Sequence, residues 1–85
     1  MRTLWHPPGA KYPVEVGDRD EVAALLGKPQ SWAQTFAKYS RMGWPKTNPA
    51  PKAVAVDQKT RRDLYVLAEC VAWEARRLGP GFRVP

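Results

Sequence analysis

The chain has 85 residues, with 14 Lys and Arg against eight Asp and Glu, a formal net charge of +6 and a pI near 9.9. A chain this short forms one small domain whose marginal core leaves no room for a large enclosed active site. Its basic balance points to a polyanionic partner, and no apolar stretch is long enough to span a bilayer or to serve as a signal-peptide core.

Residues 1–17, MRTLWHPPGAKYPVEVG, are rich in proline and aromatics. Pro7, Pro8 and Pro13 exclude a helix, and residues 12–16 make a short strand at most. Trp5 and Tyr12 are large enough to be worth burying, so this arm is expected to pack across the helices that follow. The alternative is a minor-groove arm using Arg2 and Lys11. His6, the only histidine, has no recognisable nucleophile or carboxylate partner.

The pattern then changes to DRDEVAALLGKPQSWAQTFAKYSR over residues 18–41. Asp18 is placed to cap a helix, and Glu21 completes a D-x-x-E capping box. Val22, Leu25 and Leu26 recur at helical spacing. Gly27 falls where a left-handed cap ends a helix, and Pro29 can open the next one. A second helix is predicted over residues 30–42, before Gly43 and Pro45. A short helix, a Gly-containing turn and a longer helix make a helix-turn-helix.

The second helix divides into two faces at 100° per residue. Trp32, Ala33, Phe36, Ala37, Tyr39 and Ser40 share one side. Gln30, Ser31, Gln34, Thr35, Lys38 and Arg41 share the other, which is cationic and amide-rich and has no carboxylate. Gln pairs with adenine, Arg and Lys with guanine, and Ser or Thr with either a base or a phosphate, so these six are the expected DNA-reading residues, with Lys28 in the preceding turn. Between residues 22 and 56 five basic residues (Lys28, Lys38, Arg41, Lys46, Lys52) meet no acidic one, so one face should be strongly positive.

Pro45, Pro49 and Pro51 hold residues 44–52 extended. Residues 53–56 are strand-like and could pair with residues 62–65 across the polar turn 57–61, giving a hairpin with Lys59, Arg61 and Arg62 at its basic tip. The competing reading is one helix over residues 58–78, because Leu64, Leu67, Ala68, Val71, Ala75 and Leu78 fall on one stripe. In both readings a helix covers residues 67–78 and ends at Gly79-Pro80, with residues 79–85 a loose tail. Cys70, the only cysteine, is expected to be a small core residue, and Trp44 and Trp73 are assigned to the core. No metal or cofactor site is expected, and no acid/base pair, phosphate loop or nucleophile motif argues for an enzyme.

Taken together, EVAALLG at 21–27, the following helix, W-P, P-A-P, D-L-Y, and VAWEARR at 71–77 resemble the small MerR-like winged helix-turn-helix domains of phage excisionases (recombination directionality factors) and related prophage regulators. The resemblance covers residues 18–77. It implies a mainly α fold with a small β-hairpin: helix, turn, recognition helix, two-stranded wing and closing helix, with Leu64-Tyr65 ending the second wing strand and Trp73 in the closing helix. Three departures stand out: Pro29 replaces the usual Ser or Thr cap, the link over residues 44–51 is long, and Val66 stands where many relatives have an Asp cap. The implied function is sequence-specific binding of double-stranded DNA, with the recognition helix in the major groove and the wing on the backbone. The protein would bend repeated sites to direct recombination by an integrase. The alternatives are a small phage or prophage transcriptional regulator, and a non-catalytic module docking on a recombinase or terminase. The full MerR type of regulator carries a coiled coil and effector domain that do not fit in this chain. A cytoplasmic monomer that assembles head to tail on DNA, with no membrane contact, is therefore expected.

Overall fold

The computed structural model describes residues 3–77. Among them are strands β1 (Thr3–Trp5) and β2 (Val14–Gly17), helices α1 (Arg19–Leu25) and α2 (Trp32–Met42), strands β3 (Ala55–Val56) and β4 (Asp63–Val66), and helix α3 (Leu67–Arg77). The four strands form one curled antiparallel sheet in the order β1-β2-β4-β3. The expected mainly α fold with a small β-hairpin is therefore incorrect, and the fold is mixed α/β. The sheet is larger because the proline-rich lead is itself a hairpin. Thr3, Leu4 and Trp5 pair with Val16, Glu15 and Val14, and β2 pairs with β4 through Val16↔Val66 and Gly17↔Tyr65.

The lead folds this way because its prolines sit in the connection and not in the paired strands. Ala10 N–H donates to Pro7 C=O, and Gly9 takes φ 78°. A Pro followed by a left-handed Gly is the signature of a tight turn. The arm meets the helices through β2, which contacts α1 and α3. Tyr12 is 76% exposed, and half-buried Trp5 packs on the sheet with Val16, Leu64 and Val66. Gly17 is where the sheet meets the helices, since a Cβ there would come within 2.9 Å of Glu21 Cβ and 3.2 Å of a Leu67 methyl.

The capping box is present. Asp18 accepts from Glu21 N–H at 2.9 Å, and the Glu21 carboxylate accepts from Asp18 N–H at 3.1 Å. The second helix starts later than expected, at Trp32. Gln30 and Ser31 occupy a turn in which Trp32 and Ala33 N–H groups donate to Pro29 and Gln30 carbonyls, and Ser31 caps without a side-chain bond. Left-handed Gly43 closes the helix.

β4 runs between β2 and β3, and its Leu64, Tyr65 and Val66 are all buried because both of its faces are packed. Leu64 and Val66 join Val16 in one cluster. Tyr65 turns the other way, into the main core of Val22, Phe36, Ala50, Leu67, Cys70 and Trp73. The buried side chains thus form two clusters. α3 follows β4 directly, which excludes the continuous helix over residues 58–78. Its buried residues are Leu67, Cys70, Trp73 and Glu74, while Ala68 and Ala75 are exposed and Val71 is 47% exposed. The predicted apolar stripe thus faces largely outward, because Glu74 goes inside. Burial works against its charge, yet the Arg77 and Lys28 partners at 2.7 and 2.9 Å prevail and hold its carboxyl below the ordinary range.

Trp73 is fully buried. Its Nε1–H donates to Asn48 C=O at 2.8 Å, and Asn48 Nδ2 donates back to Trp73 C=O at 3.2 Å. The long link over residues 44–51 is thereby tied to α3. Trp44, assigned above to the core, is instead 44% exposed. Burial pushes the Cys70 thiol up to about 12, which leaves it protonated and inert at neutral pH. Leu78 and the tail over residues 79–85 lie outside the described residues, as does Arg2. No helix among the described residues is long and apolar enough to cross a membrane.

Candidate nucleic-acid interface

The outward face of α2 carries Gln34, Lys38 and Arg41, all exposed, with half-buried Thr35 beside them. The opposite face is buried through Ala33, Phe36, Ala37 and Ser40. Phe36 packs edge-on to Tyr65 and Trp73, and Ser40 Oγ donates to Pro51 C=O at 2.7 Å. Packing on one side thus fixes which side chains the helix presents on the other. Gln30 and Ser31 are exposed too, but they sit in the turn before the helix.

β3 and β4 are joined by a turn whose geometry is set by Asp57. Its N–H donates to Arg62 C=O and its C=O accepts from Arg61 N–H. Its carboxylate accepts from Lys59 N–H at 2.8 Å and Thr60 N–H at 3.1 Å. The strands are Ala55–Val56 and Asp63–Val66, shifted from the predicted 53–56 and 62–65. The tip presents Lys59 and Arg61, both exposed. The backbone bonds from Thr60 and Lys59 hold the Asp57 carboxyl below its ordinary value of 3.8. A depressed carboxyl stabilises the fold above its unfolded value and loses that contribution as pH falls through the folded one. The tip should therefore loosen selectively below pH 3.8, with Lys59 and Thr60 amide exchange accelerating before that of β4. Simultaneous acceleration throughout the sheet would show that Asp57 does not act locally.

Two expected contact residues are committed elsewhere. Arg62 is ion-paired with Asp20 and lies 3.6 Å from Asp18, so it fastens the hairpin to the start of α1. These carboxylates, Asp20 first, raise its pKa. Lys28 pairs with Glu74 and sits 5.8 Å over the Trp32 ring, fastening the helix-helix turn to α3. Both are ion-paired across elements of the fold.

A residue missed from the sequence completes the face. Arg19 lines three adjoining depressions: one with Gln34, Thr35, Lys38 and Arg41, one with Gln30, Ser31 and the paired Asp20 and Arg62, and one with Arg41, Arg61 and Asp63. It was concealed because it falls inside the capping box, where it reads as helix-start filler. The available signal was its sign, since a cation in a first turn opposes the helix dipole. α1, α2 and the hairpin tip thus meet in one cationic surface. The chain matches no protein-family model, no curated protein and no solved structure. The cationic surface offers amide and guanidinium donors on an exposed helix, flanked by cations on a loop. Among the described residues, no group of three or more His, Cys, Asp or Glu side chains is placed to hold a metal.

Proposed function

We propose that the protein binds double-stranded DNA sequence-specifically, with α2 entering the major groove and the β3–β4 tip resting on the flanking backbone. The supporting observation is the exposed, carboxylate-free face of Gln34, Lys38 and Arg41, continuous through Arg19 with the tip. Gln34 and Lys38 read base edges, and Lys59 and Arg61 supply salt-sensitive phosphate contacts. The biological reading is an excisionase-type recombination directionality factor, a DNA-associated cytoplasmic protein that partners an integrase. Its support is the sequence resemblance over residues 18–77 and the order α1, α2, β3–β4, α3. In this reading monomers assemble head to tail on repeated sites and bend them.

The test uses a duplex selected by the protein from a random pool. Gln34→Ala should weaken the selected duplex more than a scrambled one. Arg61→Ala should weaken both alike and lower the salt slope by about one unit. Equal losses for Gln34→Ala would remove the reading role from α2. On fragments with several sites, binding should be cooperative and circularly permuted fragments should differ in gel mobility. Tight binding to a single site without a change in DNA shape would favour a transcriptional regulator.

A further inference from the structure

The described arginines fall into two groups. Arg62 is paired with Asp18 and Asp20, Arg77 with Glu74, and Arg76 Nε donates to Asn48 Oδ1. Arg19, Arg41 and Arg61 make no ion pair among the described residues. These three come from the first turn of α1, the last turn of α2 and the hairpin tip, yet they line the same solvent-open depression of about 220 Å³. The carboxylate on its wall is Asp63, one charge facing three, and neighbouring Arg62 is already neutralised. Converging like charges repel, and an anion between them turns that repulsion into binding.

Two of the three are placed at a local cost. Arg61 has φ 61°, a left-handed conformation that is unfavourable for a side-chain-bearing residue. Arg19 opposes the α1 dipole. Strained or opposed placements concentrate where a side chain is needed in a particular direction. Guanidinium forks suit one target in particular, the oxygens of a tetrahedral phosphate.

We propose that Arg19, Arg41 and Arg61 form a cradle for one phosphate group, and that in the DNA complex a single backbone phosphate docks there and fixes the register of α2 in the groove. The DNA part of this inference rests on the function proposed above. The cradle itself does not.

Two measurements separate the two. With inorganic phosphate as probe, the Nε–Hε resonances of Arg19, Arg41 and Arg61 should shift together with one dissociation constant, whereas sodium chloride at equal ionic strength should not move them. Arg19→Gln should abolish the response of the other two, and Arg19→Lys should restore it only in part. With the selected duplex, single methylphosphonate substitutions should expose one position where the parent loses about tenfold or more in affinity. Arg19→Gln, being non-additive with that substitution, should lose less than about twofold there. Both results together support the cradle and its place on DNA. A phosphate response without duplex affinity keeps the cradle, as a site for free phosphate or a phosphorylated small molecule, and overturns the DNA reading. Duplex affinity with no single sensitive phosphate and no arginine response overturns the cradle and leaves the DNA reading standing.

Discussion

Trp73→Ala should cost about 3–5 kcal/mol, the range for truncating a buried large aromatic. A domain of this length is stable by roughly 4–13 kcal/mol, so at the low end of that range the variant would largely unfold and at the high end it would melt well below the parent. The expectation follows from the position of Trp73, which is fully buried with ring centroids 5.7 Å from Phe36 and 6.3 Å from Trp32. Arg77 covers it at 5.5 Å. Its indole N–H also anchors the long link through Asn48 C=O. Trp73→Phe separates the two roles, because it keeps an aromatic ring in the core and removes the anchor. It should cost less than the alanine variant and should expose residues 44–51 to proteolysis first. An alanine variant that melts within a few degrees of the parent would show that α3 is not the keystone of the core.

The combined variant Lys38→Glu with Arg41→Glu should lose duplex affinity by about 10³-fold or more at moderate salt, on selected and scrambled DNA alike. Two phosphate-seeking cations disappear and two carboxylates take their place on the face that meets the polyanion. Both side chains are exposed, so the fold should survive. Glu at position 41 meets the negative end of the α2 dipole, which costs about 0.3–1 kcal/mol and lowers Tm by no more than about 8 °C. Binding retained by this variant would place the DNA on another face.

The helices were legible because their signals are local. Asp18 and Glu21 form the predicted capping box, Gly27 takes the predicted left-handed conformation, and the amphipathic split of α2 follows from spacing. β1 and β2 were not legible. They are three and four residues long, they carry no long alternating run, and their prolines masked a hairpin that depends on pairing with a strand fifty residues away. α3 was read in the right place but rotated. Ala68, Val71 and Ala75 count as apolar by composition, and nothing local says that Glu74 is neutralised by Lys28 from another element. The same limit applies to the site. Lys28 and Arg62 look like free cations in sequence, and only the fold brings Glu74 to one and Asp18 and Asp20 to the other. Arg19 shows the converse, since its partners in the cationic surface come from α2 and the hairpin.

A map of backbone amide shifts on titrating the protein, with no partner present, with its selected duplex tests directly whether this surface binds DNA. Binding should be sub-micromolar, with the largest shifts at Arg19, along residues 30–41 and across residues 57–62, and little change at Val14, Val66, Ala68 and Val71 in the groove between β2 and α3. Shifts confined to that groove, or no binding without a protein partner, would contradict the proposed function.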